Sequence, residues 1–301
     1  MLIDPRHIEN AARARNLYLD NLRPDEAAKD WNFAKRQARK LVGQALRASS
    51  YLADIEGAVH ANGCHTLVFR HMLSPPLSQD QFGLVCPQWS KASEVQSRPV
   101  PYKVAVEVAG AIRSRLDHGL VKWVVGTKPA LASVYIPLRV VSTVMAVQRV
   151  ATSRRSRLAF EQEYAVETVL KADGWTKLPS KLIDTRAAVP MKSFMHKTRF
   201  ATATTSPQEV DIACGLRQSY VLAMECKVTN DETNSVKRVN DVLKKAAAWQ
   251  SHWGSFVVTA ALLQGVVAPK DVQRLTDARV EVFWSHNLDH LRTWLADRLA
   301  T

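Results

Sequence analysis

Glu209-Val210-Asp211-Ile212-Ala213-Cys214-Gly215 and Ser219-Tyr220-Val221-Leu222-Ala223-Met224-Glu225-Cys226-Lys227, parted only by Leu216-Arg217-Gln218, decide how the chain is read. Both runs are rich in apolar and β-branched residues. The stretch between them is short enough to turn one onto the other, which predicts an antiparallel hairpin. Side chains alternate along a strand, so Glu225 and Lys227 share one face and Cys226 points to the other. Pairing around the turn carries Asp211 across the ladder towards Glu225. Two carboxylates that close repel each other. A hard divalent cation answers that repulsion, because Mg²⁺ accepts carboxylates, a backbone carbonyl and waters. A surface ion-pair cluster is the other reading. The placement on neighbouring strands, with a basic helix directly after, favours the metal site.

Outward from the hairpin, helical and extended patterns alternate. Arg157 to Ala172 predicts a helix, and Arg199 to Thr204 predicts a strand ahead of the hairpin. After it, Val236, Val239, Val242, Leu243, Ala246 and Trp249 recur at helical spacing from Asn234 to about His252. Phe256 to Leu263 is an unbroken apolar run, the pattern of a strand buried on both faces. A helix from Pro269, a strand over Val280 to Trp284 and a helix from Asn287 follow. That order predicts an α/β fold whose mixed β-sheet core is flanked by helices. The first half reads as mainly helical: residues 6–60, Val104 to Leu116 and Ser133 to Val150, with Pro137 demanding a break or a first-turn place. Pro75, Pro76, Pro87, Pro99 and Pro101 mark loops and short helical pieces between them. The expected division is 1–152, mainly α-helical, and 153–301, the sheet-bearing core.

The 301 residues are 47% apolar and 23% charged, the composition of a globular chain and not of a disordered one. Forty-one Lys and Arg against 28 Asp and Glu leave a net charge of +13 and a pI near 9.8. The excess lies in both halves, so a polyanionic partner is expected of the folded body. The start of the chain has no apolar core behind its charges and is not read as a secretory signal. The apolar stretch Leu120 to Val150 is cut by Lys122, Lys128, Pro129, Pro137 and Arg139, so no membrane span is expected. Cys64, Cys86, Cys214 and Cys226 form no CxxC pair, which suits free thiols in a cytoplasmic protein. Cys64 lies among His60, His65 and His71, read as scattered core or loop residues in preference to a metal knuckle.

The order αβββαβ with D…ExK resembles the PD-(D/E)xK nucleases, although Val210 stands where that family usually has proline and Pro207 lies upstream. Met224-Glu225-Cys226-Lys227-Val228-Thr229-Asn230, continuing through Asn234-Ser235-Val236-Lys237-Arg238-Val239-Asn240, is similar to the XamI-type restriction endonucleases. So are Met195-His196-Lys197-Thr198-Arg199-Phe200 and Phe283-Trp284-Ser285-His286. The resemblance covers roughly residues 155–295. It implies a type II enzyme dependent on Mg²⁺, with Mn²⁺ able to substitute. Such an enzyme cuts both strands of double-stranded DNA at a short palindromic site, usually as a homodimer, beside a cognate DNA methyltransferase. It implies that Asp211 and Glu225 hold the metal with the Cys226 carbonyl, and that Lys227 positions or helps deprotonate the attacking water. Region 1–152 would then serve DNA recognition or dimerisation. Glu163 and Glu167 would add a carboxylate to the metal or line an exposed acidic helix face. Expected DNA contacts are Lys197, Arg199, Asn230, Asn234, Ser235, Lys237, Arg238, Lys244 and Lys245, with Asn234 or Ser235 capping the helix and the cations repeating every seven residues on one face. No organic cofactor is expected. A DNA-binding protein that never cuts, and a structure-specific repair or recombination nuclease, are the competing readings.

Overall fold

The computed structural model describes residues 3–21, 24–95, 98–123, 125, 127–203 and 206–300. Thr204, the expected end of a strand, lies outside them. The elements in chain order begin with α1 (Pro5–Asp20), α2 (Pro24–Ala48), α3 (Ile55–Ala61), α4 (His65–Arg70), α5 (Gln79–Val85), α6 (Lys91–Val95), α7 (Tyr102–Arg113) and α8 (Leu131–Ala172). There follow β1 (Thr176–Leu178), β2 (Leu182–Ile183), β3 (Ser193–Phe200), β4 (Gln208–Gly215), β5 (Val221–Thr229), α9 (Glu232–Trp253), β6 (Val257–Gly265), α10 (Pro269–Asp277), β7 (Glu281–Trp284) and α11 (Leu288–Ala300). They form two compact units: Pro24–Ser153, and the first helix together with residues 154–301.

The helical unit is built on one apolar core that includes Val42, Leu46, Ile55, Phe69, Phe82 and Ile112. A buried ion pair crosses it: Arg70 Nε donates to Glu94 Oε1 at 2.7 Å, and Gln79 also bonds the Glu94 carboxylate. Charges so buried persist only when paired. The histidines near Cys64 are spent locally, with Nδ1 of His60, His65 and His71 against the carbonyls of Val100, Ala58 and Leu67. Cys64 Sγ donates to the Glu94 carbonyl. Cys64, His65 and His71 are buried and His60 is exposed, so they are scattered core and surface residues.

In the second unit the strand order is β1-β3-β4-β5-β6-β7, with β2 also beside β3. β3, β4 and β5 run antiparallel, while β5, β6 and β7 run parallel. The change follows from the connections. β4 turns into β5 through Gln218 and Ser219, both left-handed at φ 56° and 62°. β5 reaches β6 only through α9, the helical crossover that parallel pairing requires. One sheet face, with Ile212, Cys214, Leu222, Met224, Cys226, Leu262 and Phe283, packs on Val166 and Leu170 of α8 and Leu291 and Leu295 of α11. On the other face Ala261 and Leu263 meet Val239, Val242 and Ala246 of α9 and Val272 and Leu275 of α10. At the end of β6 only glycine fits, since Gly265 has φ 91° and a Cβ there would lie 2.1 Å from the Thr229 carbonyl oxygen.

Four expectations need correction. The first strand of the hairpin region is Ser193–Phe200 in place of Arg199–Thr204. Ser193, Phe194 and Met195 are buried in succession, so both faces are covered where the strand begins, and exposure alternates only from Lys197 to Phe200. The helices expected at 133–150 and 157–172 are one continuous α8, which carries Pro137 within it. The division at 152/153 misplaces α1: Ala11 and Ala14 bring it close against the sheet unit, where Asp4 N–H donates to Gln273. Finally, α8 is by length and composition apolar enough to cross a membrane, a measure that core helices of soluble proteins also meet.

Leu262, fully buried between β5 and β7, anchors the α8 face of the sheet. Leu262→Ala is expected to cost about 2–5 kcal/mol in urea unfolding. A loss under about 1 kcal/mol contradicts this account of the core.

Candidate active site

The β4–β5 ladder pairs Ile212 with Met224 and stops there, one step short of Asp211 and Glu225. Past that point a side chain replaces the backbone partner. Asp211 Oδ2 accepts from the Cys226 backbone N–H at 2.8 Å. The N–H and C=O of a strand residue point to the same side, so the Cys226 carbonyl also faces the gap beside Asp211. Its thiol points the other way, into the core packed on α8, where burial pushes it well above the usual cysteine range.

Glu225 is 0% exposed. Two ammonium groups converge on its Oε2, Lys227 Nζ at 2.6 Å and Lys245 Nζ at 2.8 Å. Lys227 Nζ also lies 3.6 Å from Asp211 Oδ2, so one cation reaches both carboxylates. Lys245 comes from α9 and donates as well to the Glu209 carbonyl at 2.8 Å. Glu225 Oε1 is buried with no hydrogen-bond partner. A buried charged oxygen without a partner is costly, and this one belongs to the residue just past the last pair of the β4–β5 ladder. Burial alone would lower the Lys227 ammonium's proton affinity, but Glu225 and Asp211 outweigh it and hold the group above the ordinary lysine value. Lys227 is therefore a cation in this state.

Beside Asp211 runs a cleft of about 430 Å³ lined by Lys181, Lys197, Arg199, Glu209 and Thr198 among others. Lys197, which falls between the paired residues His196 and Thr198 opposite the Asp211 position, has a left-handed backbone at φ 50°. Such backbone in a non-glycine strand residue is uncommon and concentrates at functional sites.

The remaining predicted residues divide. Lys237 and Lys244 are exposed on α9, Arg238 and Asn230 are half-buried, and Arg199 is exposed at the cleft. Lys245 is not on that outer face; it turns inward to Glu225. Asp231, not Asn234 or Ser235, caps α9: its carboxylate accepts from the Asn234 N–H at 2.8 Å and from the Asn234 side chain. Ser235 is buried and donates to Asp271 at 3.1 Å, out of reach of any duplex. Glu163 and Glu167 are buried, not an exposed acidic face. They clasp His196, with Nε2 at 2.7 Å from Glu163 and Nδ1 at 2.9 Å from Glu167, and are joined by Lys197, Lys171 and Lys177. No hydrogen bond or ion pair joins this cluster to Asp211 or Glu225 among the described residues. Lys245 is the residue that sequence reading missed at the site. Its signal was the helical spacing that sets it one step before the buried Ala246.

Among the described residues no group of three or more His, Cys, Asp and Glu side chains could hold a metal. The site's donor set is two carboxylates, one of them with its Glu225 Oε1 unpartnered, and a strand carbonyl. All are hard oxygens, and they fit a cation of the Mg²⁺ class, which takes one or two carboxylates and keeps several waters.

The fold and site together define an α/β protein with carboxylates and lysines gathered where the central antiparallel strand pair opens. The chain belongs to the XamI restriction endonuclease family, whose model matches residues 50–284. It is 29% identical over 188 residues to the type II restriction enzyme XamI of Xanthomonas campestris pv. amaranthicola, a match that covers 62% of this chain and 66% of that protein. A solved structure, protein VC1899 from Vibrio cholerae, aligns over 91% of this chain and 57% of its own at 11% identity and a TM-score of 0.32, a likeness too slight to support any conclusion.

The acid cluster carries its own test. Burial raises Glu167's proton affinity, but Lys177, Lys171 and His196 outweigh it and hold the carboxyl below its usual range. A depressed carboxylate stabilises the fold above its unfolded pKa, about 4.3, and loses that contribution as pH falls through the folded value. The stability advantage of wild type over Glu167→Gln is thus expected to be full at pH 7 and to shrink as pH drops below about 4. Urea melts at stepped pH measure it, and an advantage that stays constant down to pH 3 contradicts the sign.

Proposed function

We propose that the protein is a type II restriction endonuclease that hydrolyses phosphodiesters of double-stranded DNA with Mg²⁺, at the PD-(D/E)xK-like site of Asp211, Glu225 and Lys227. One observation carries the reading: a wholly buried carboxylate beside a second one, with one oxygen held by ammonium groups and the other without a partner. The family membership and the name of the Xanthomonas relative support the same chemistry.

In this proposal Asp211, Glu225 and the Cys226 carbonyl hold the divalent ion. When bound, the ion polarises the phosphate and makes a coordinated water a better nucleophile. The chain's own groups do the rest. The Cys226 N–H fixes the Asp211 carboxylate, and Lys227 fixes both carboxylates from one point. As an ammonium, Lys227 donates to and orients the attacking water and offsets negative charge that grows on the phosphoryl oxygens. Lys197 and Arg199 line the adjacent cleft with Lys181 and supply phosphate contacts there. Lys237, Arg238 and Lys244 of α9, with Asn230 and Asn234 near its start, extend those contacts along the backbone.

In the helical unit, Lys29, Lys35, Arg36 and Arg39 of α2 line one groove, which suits a role in holding or reading the duplex. A homodimer matches the symmetry of a short palindrome, since each copy then cuts one strand. A methyltransferase that protects host DNA would be a functional partner only, and both would work in the cytoplasm.

Incubation with linear phage DNA is expected to give discrete fragments with Mg²⁺, or with Mn²⁺, and none in EDTA. Asp211→Asn should abolish cleavage while DNA binding in Ca²⁺ persists. Lys227→Ala should slow single-turnover cleavage by at least about a hundredfold with little loss of binding. Full-rate cleavage by either variant, or equal cleavage in EDTA, overturns the reading. Discrete fragments also separate it from a structure-specific nuclease and from a protein that only binds.

A further inference from the structure

We propose that Lys245 is a positioning residue whose charge keeps divalent cations off the site until DNA arrives. The inference rests on the metal reading above. Asp211 and Glu225 bring two negative charges, and Lys227 and Lys245 bring two positive ones. The site is therefore balanced without any cation. The side chains are little exposed, at 14% for Lys227 and 22% for Lys245, so water screens them poorly. A dication that enters the DNA-free site leaves it with two uncompensated positive charges.

The phosphodiester at the site supplies one of the two missing negative charges, and the neighbouring phosphates of the strand add to it. Cation and DNA are then each bound better in the presence of the other, and that coupling is reciprocal. Of the two lysines, Lys245 is the one suited to set its strength. Lys227 bridges both carboxylates from the same strand, whereas Lys245 reaches in from α9 and touches Glu225 alone of the two. Its second bond, to the Glu209 carbonyl, anchors it at the side where β4 leaves the ladder. Lys245 acts through Glu225, not on the reacting phosphate. Its loss should change cation affinity in the absence of DNA, which a merely structural contact would not improve.

The test is a Mn²⁺ titration of the DNA-free protein, followed by electron paramagnetic resonance, with thermal melts to confirm folding. Lys245→Met is expected to bind Mn²⁺ at least about tenfold tighter than wild type, because one like charge is gone from a poorly screened site. Lys245→Gln replaces the ammonium with a neutral polar amide and should show the same gain, which covers the case of an unstable Lys245→Met. Lys245→Arg keeps the charge and should stay within about twofold of wild type. Adding Asp211→Asn to Lys245→Met should erase the gain. Unchanged or weaker Mn²⁺ binding by both neutral variants overturns the role of Lys245, while a loss of wild-type binding on Asp211→Asn alone would leave the metal site standing. A gain that survives Asp211→Asn places the ion elsewhere and overturns the metal site and this inference together.

Discussion

Glu225 is the constraint on which the rest of the second unit depends. A carboxylate in the middle of a sheet, with no exposure, is tolerated only if cations come to it. One comes from its own strand, two residues on, and the other from α9. That need fixes the rotation of α9 over the sheet, since Lys245 must point inward while Ala246 and Trp249 also pack on strands. It sets where β4 and β5 part as well, because Asp211 has to occupy the gap with its side chain.

The two faces of the sheet divide the polar groups between two clusters. On the α9 side lie Glu225, Lys227 and Lys245. His196, whose strand partner Ile212 packs towards α8, is clasped by Glu163 and Glu167 of that helix. The second cluster ties α8 to β3 and β1 through Lys177 and Lys197. It thereby steadies β3 where Lys197 departs from extended backbone, next to the cleft that flanks Asp211.

Much of this was legible in the residues. The hairpin, the crossover helix and the buried strand after it were marked by alternation, by helical spacing and by an unbroken apolar run, each a direct imprint of local geometry. Asp211 and Glu225 followed from the register of a short turn. What was not legible depended on contacts distant in sequence. Ser193–Phe200 opens on three buried residues in a row, so the period of two shows only over its last four residues. Ser235 looked like a capping residue, yet Asp231 holds that place and Ser235 is buried against Asp271. Lys245 looked like the outer end of a basic stripe because nothing local reveals a countercharge on another strand. The first helix was assigned by sequence proximity, whereas two alanines place it on the sheet unit.

The central claim is that Asp211 and Glu225 form one cation site. The most direct measurement is a crystal of the protein with DNA bound, soaked in Mn²⁺ and mapped by anomalous scattering. The account predicts a single strong peak between the Asp211 and Glu225 carboxylates, on the side of Glu225 Oε1. A peak at Glu163 and Glu167 instead, or none at saturating Mn²⁺, would contradict it.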